Sequence, residues 1–163
     1  MAIEIARPYI APINITAAFT AQIDILEIIP AAAKPVMLLG WEFGQTSEVG
    51  DAQEEWLELV LKYYTTAGTS GSGGGTSTFR PTTPNSTAPG VTLETGNTTK
   101  YTGGTSIELA RFAWNVRQTC LYIPLVEERI VADAAKPLVL ELVTTPADSI
   151  SAIKGRLLVG ELI

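Results

Sequence analysis

Apolar and polar residues alternate with a period of two along much of the chain. Leu57, Leu59, Leu61 and Tyr63 are interleaved with Glu58, Val60, Lys62 and Tyr64, and such a repeat sends alternate side chains to opposite faces of an extended strand. Comparable segments rich in Ile, Val, Leu, Trp and Tyr run over 3–10, 20–29, 35–43, 55–65, 90–94, 105–114, 119–123, 137–144 and 151–161. About nine short strands joined by polar turns predict one all-β domain, an antiparallel jelly roll or β-sandwich.

The one competitor for a helix is 51–62, which opens on Asp51 and contains good helix formers. A helix there would carry apolar side chains all the way round, so the expectation is a brief helical turn near Ala52 followed by a strand. Two similar stretches, Ala32-Ala33-Lys34-Pro35-Val36 and Ala134-Ala135-Lys136-Pro137-Leu138, read as one turn-into-strand solution used twice, with proline at the strand's first position.

Residues 1–12 read as an extended N-terminal arm or first strand, and 13–163 as the sandwich domain. Within it, 65–90 forms a Gly/Ser/Thr/Pro-rich excursion expected to be a flexible surface loop, because glycine-rich chain is costly to order.

Charge narrows the partners. The net charge is −6, and the 11 Lys and Arg residues are scattered singly, which disfavours nucleic acid and anionic lipid. No run reaches the ~20 apolar residues of a membrane helix, and the first residues lack the basic start and apolar stretch of a secretion signal. Synthesis in the cytoplasm is therefore expected, and the Asn-x-Ser/Thr triplets at Asn14, Asn85 and Asn97 are read as chance in a Thr-rich chain.

Candidate chemistry is sparse. The chain has no histidine, the commonest general base, metal ligand and partner of a nucleophile. Its single cysteine, Cys120, has no intrachain disulfide partner and sits among strand residues, as a small core side chain would. The adjacent pairs Glu54-Glu55 and Glu127-Glu128 would point to opposite faces of a strand and cannot clasp a sugar between them. Glu48, Asp51, Glu54, Glu55 and Glu58 gather hard oxygen donors without the spacing of an EF-hand calcium loop. No enzyme activity and no cofactor are expected. Of the three tryptophans, Trp41 and Trp56 are expected in the core and Trp114, beside Asn115, at a rim.

Three stretches carry a family resemblance: Gly44-Gln45-Thr46-Ser47-Glu48-Val49-Gly50-Asp51-Ala52; Glu94-Thr95-Gly96-Asn97-Thr98-Thr99 with Gly103-Gly104-Thr105; and Leu121-Tyr122-Ile123-Pro124 with Glu127-Glu128-Arg129. In these the chain resembles the small β-sandwich or jelly-roll capsid decoration (cement) proteins of tailed bacteriophages. The resemblance implies a virion protein that binds the major capsid protein on the outside of an assembled head, often as a trimer, and reinforces joints between capsomers. It brings no catalytic residues.

Candidate contact residues follow from the strand pattern. An extended arm bearing Ile3, Ile5, Arg7, Tyr9 and Ile10 ahead of Pro12 is able to pair with a neighbour's sheet edge, or to add to its own sheet. Trp114 is the candidate rim contact. A rival reading, a carbohydrate-binding or host-recognition jelly-roll module, expects Trp114 or Tyr101 to be exposed as a sugar platform. A third reading is a virion or tail subunit that assembles by itself.

Overall fold

Every one of the nine expected strands is present in the computed structural model, which describes residues 5–46, 54–83, 87–150 and 152–162. In chain order they are β1 (Ile5–Ile15), β2 (Asp24–Pro30), β3 (Val36–Gln45), β4 (Trp56–Tyr64), β7 (Val91–Asn97), β8 (Ser106–Asn115), β9 (Cys120–Tyr122), β11 (Leu138–Leu142) and β12 (Ile153–Leu162). Three short strands add to them: β5 (Gly75–Ser77), β6 (Arg80–Pro81) and β10 (Val131–Ala132). A 3₁₀ turn at Val126–Glu128 is the only helical element among the described residues. The turn expected near Ala52 lies outside them.

The strands form two antiparallel sheets. One runs β10-β3-β12-β1-β6, with β9 also paired to β3, and the other runs β5-β7-β2-β11-β4-β8. With β5, β6 and β7 set aside, β1-β12-β3 with β9 and β10 face β2-β11-β4-β8, and the chain crosses between sheets at each step except β4 to β8, and β9 to β10, where both strands pair with β3. This is jelly-roll connectivity. Alternation builds the core: Leu57, Leu59 and Leu61 of β4 pack with Ile13 of β1, Leu38 and Trp41 of β3 and Leu157 and Val159 of β12, all buried.

Of the two courses open to the N-terminal segment, β1 takes the second and adds to its own sheet. Its register with β12 runs from Ile5↔Leu162 to Ile15↔Ile153, with a shift only between Ile5 and Arg7. Its prolines are tolerated because they face the other side: the Pro8 carbonyl accepts from Thr82 N–H on the β6 side at 3.2 Å, so no ladder bond to β12 is missing.

The segment at 65–105 joins β4 to β8, which are neighbours in one sheet. It lays β6 beside β1, β7 beside β2 and β5 beyond β7, and supplies Phe79 and Leu93 to the core. One side of the sandwich is thereby covered. The glycine-rich stretch expected as a flexible loop is held down by paired backbone bonds, Thr69 with Thr102 at 2.7 and 3.0 Å and Ser72 with Thr99 at 3.0 Å each way. Its glycines permit that approach, since a Cβ at Gly71 would collide with the Thr99 carbonyl and the Glu27 carboxylate.

Candidate functional site

Among the described residues the other side of the sandwich is open. There the edge strands are β8 in one sheet and β9 and β10 in the other, so among the described residues their outward backbone groups have no strand beside them. Ile107 and Leu109 on β8, Leu121 on β9, and Ile123, Leu125 and Val126 beyond it are exposed, and among the described residues Trp56 is the only large apolar side chain exposed elsewhere. Ile123 and Val126 reach 72% and 68% exposure.

Alternation explains how apolar side chains come to face water here. β9 pairs with β3 through Trp41↔Tyr122 and Phe43↔Cys120. Cys120 and Tyr122 turn inward, and Leu121 and Ile123 must turn out. Beneath them Trp41 and Tyr122 have ring centroids 4.4 Å apart, and Phe112 meets both edge-on at 5.4 and 5.3 Å. This aromatic triad fixes β9 from below. On the outer face Leu121 and Ile123 border a hollow of ≈ 150 Å³ shared with Leu39 and Leu158. Arg156 and Glu42, paired at 2.9 Å, stand at its wall. Such a contiguous apolar strip with a polar border has the anatomy of a protein contact surface.

The residues singled out from the sequence fall differently. Tyr9 is buried, with its hydroxyl donating to the Thr87 carbonyl at 3.0 Å, while Arg7 is exposed and donates to Thr87 Oγ1 at 3.0 Å. Ile10 is half-buried within β1, the side chain of Ile5 is not among the described groups, and Ile3 lies outside the described residues. Trp114 is not at a rim: it is 2% exposed, opposite Leu57, with its indole N–H donating to the Gln118 carbonyl at 2.8 Å. Tyr101 is buried as well, which removes both aromatics expected to carry a sugar. Trp56, expected in the core, is 60% exposed. Period two decides both, because Leu57 points inward and its neighbour Trp56 must point out.

Most of the titratable interest lies under the insertion, on the outer face of the second sheet. Glu27 is fully buried and accepts from Ser70 Oγ at 2.6 Å, Gly71 N–H at 3.1 Å and Asn97 Nδ2 at 2.5 Å. Asp24 accepts from Tyr101 N–H at 2.6 Å, and Glu141 is bound by the ammonium groups of Lys62 and Lys100. Burial, only partly offset by the Tyr101 bond and reinforced by the charges of Glu27 and Glu141, raises Asp24 to about 7. Burial also opposes ionisation of Glu141, but the two lysines outweigh it and hold that carboxyl below its ordinary range. These carboxylates are occupied in fastening the insertion.

Among the described residues no three His, Cys, Asp or Glu side chains are placed to hold a metal ion together. Of the five acids weighed for calcium, Glu48 and Asp51 lie outside the described residues, Glu54 and Glu55 turn apart, to Asn115 Nδ2 and to Ala147 N–H, and Glu58 is paired with Arg111. Ser151 and Lys154 have Ser-x-x-Lys spacing, but Lys154 is bound to Asn14 Oδ1 and Ser151 lies outside the described residues. No helix among the described residues is long and apolar enough to cross a membrane. Comparison with protein-family models, curated proteins and solved structures gives no match.

Proposed function

We propose that this chain is a capsid decoration protein, which binds the outer face of an assembled phage head and stabilises capsomer joints through contacts with the major capsid protein. The carrying observation is the exposed apolar strip of Leu121, Ile123, Leu125 and Val126 on the uncovered side of the sandwich. Leaving such side chains in water forgoes roughly 25 cal/mol per Å² of apolar surface, a gain recovered when a partner covers them. The resemblance supplies the identity of that partner, and Leu121 to Pro124 is one of the stretches that carry it. The rigid sandwich presents the strip, and the acidic Glu127 and Glu128 beside it favour a shell surface bearing complementary basic groups.

Cosedimentation with empty capsids from the same source tests this reading. The wild-type chain is expected to pellet with capsids, and the Ile123→Asp/Leu125→Asp variant to stay in the supernatant. A wild-type chain that does not pellet, or a variant that pellets equally well, overturns it.

A second reading has one observation in its favour. Trp56 and Phe112 line a groove of ≈ 390 Å³ with Glu58 and Arg111, an exposed indole beside charged hydrogen-bonding groups that suits a sugar ring. Glycan-array binding that is lost in Trp56→Ala would support a carbohydrate-recognition module instead.

A further inference from the structure

We infer that β8 is a self-association edge: two copies of this chain pair their β8 strands antiparallel about a two-fold axis, joining the β8-bearing sheets into one continuous sheet.

Among the described residues β8 pairs with β4 alone, and it offers eight residues, 106–113, that are exposed or half-buried. The register with β4 shifts between Leu61↔Ala110 and Lys62↔Glu108, leaving Leu109 as a bulge. A bulge changes the phase of alternation. Because of it Glu108 and Arg111 lie on the same outer face, where Arg111 Nε meets Glu108 Oε1 at 2.5 Å and Arg111 Nη1 meets Glu58 Oε1 at 2.6 Å.

A two-fold axis passing between Leu109 and Ala110 makes the strand complementary to itself. Glu108 of one copy stands opposite Arg111 of the other, and the reverse, so each charge finds its opposite. Ile107, half-exposed in the single chain, stands opposite the half-buried Phe112 on the inner face. Ser106 then meets Ala113. The two bulges coincide because the same strand supplies both sides. A flat neutral strand is turned away by the charges and the bulge, so the edge selects a second copy of itself. The capsid reading is not needed for this pairing, and its two-fold symmetry departs from the trimer that the resemblance implies.

Light scattering on the purified full chain, with two single substitutions and their mixture, tests the pairing. The wild type is expected at twice the 17.4 kDa protomer mass. Glu108→Arg sets arginine against Arg111, and Arg111→Glu sets glutamate against Glu108, so each variant alone is expected at the protomer mass. Their 1:1 mixture restores opposite charges at both contacts and is expected to regain the doubled mass. Both changes are on exposed side chains, and circular dichroism confirms that the fold is kept. A wild type that is monomeric or trimeric overturns the proposal, as do variants that remain dimeric or a mixture that stays monomeric. Protection of β8 that appears only on capsids assigns the edge to a shell strand, and also overturns it.

Discussion

Glu27, fully buried on β2, accepts a hydrogen bond from the backbone N–H of Gly71, 44 residues further along the chain, at 3.1 Å. A carboxylate with no exposure is stable there only because Ser70, Gly71 and Asn97 supply donors to it. The glycine-rich stretch supplies two of the three, so the order of 65–74 and the burial of Glu27 depend on each other.

Removing that acceptor therefore has two readouts. Glu27→Ala is expected to lower the unfolding free energy by about 2 kcal/mol, since it takes the acceptor from Gly71 N–H and leaves Ser70 and Asn97 only their bonds to Glu94. Urea denaturation measures this, and limited proteolysis is expected to open new cleavage between residues 66 and 74. An unchanged midpoint together with an intact insertion would contradict the assignment.

Asp24 gives a pH dependence whose sign is set by its raised pKa. Between about 4 and about 7 the folded chain holds a proton there that the unfolded chain, at 3.8, has released. This group therefore makes the fold more stable as pH falls from 7 toward 4, and less stable as pH rises through 7. Glu141, held low by Lys100 and Lys62, acts in the opposite sense, and its contribution is lost as pH falls through its depressed folded value. Asp24→Asn keeps the acceptor for Tyr101 N–H and carries no charge. Its denaturation midpoint at pH 8 is expected above the wild type's, and its change between pH 5 and pH 8 smaller.

Gly40 supports the apolar strip from below. It has φ +145°, and a Cβ there would collide with the Tyr122 carbonyl of β9. Gly40→Ala is expected to cost about 2 kcal/mol and to loosen β9. The diagnostic is quenching of Trp41 fluorescence by acrylamide, which rises if the triad over Tyr122 opens and stays unchanged if β9 is held independently.

Cys120 is buried, and burial pushes its thiol pKa up, so little thiolate is available to react. Thiol reagents are expected to label it only after denaturation. Rapid labelling of the native chain would place β9 in frequent exchange with an open form.

The strands were legible because period-two alternation runs through most of their length, broken at the bulges of β3 and β8, and β4 shows why it also fixes orientation. Once Leu57, Leu59 and Leu61 are assigned inward, Trp56 is outward, and the same rule applied to β9 turns Leu121 and Ile123 out. Trp114 was misplaced by its polar neighbour Asn115, which is itself buried, its Nδ2 bound to Glu54 and its Oδ1 accepting from Arg117 N–H at 2.9 Å. The docked insertion was not legible. Its anchors, Asp24, Glu27 and Tyr101, are brought to it only by the pairing of β2 with β7, and local composition speaks for flexibility there. β1 hid its course for a similar reason, since prolines at 8 and 12 suggest an interrupted strand until the side they face is known.

Hydrogen–deuterium exchange of the chain, free and bound to empty capsids, tests most directly whether the uncovered apolar side is the working surface. Slower exchange on binding is predicted over residues 120–128, with the β5–β7 insertion unchanged. Bound chain with protection confined to that insertion or to β1, and none over 120–128, would contradict the account.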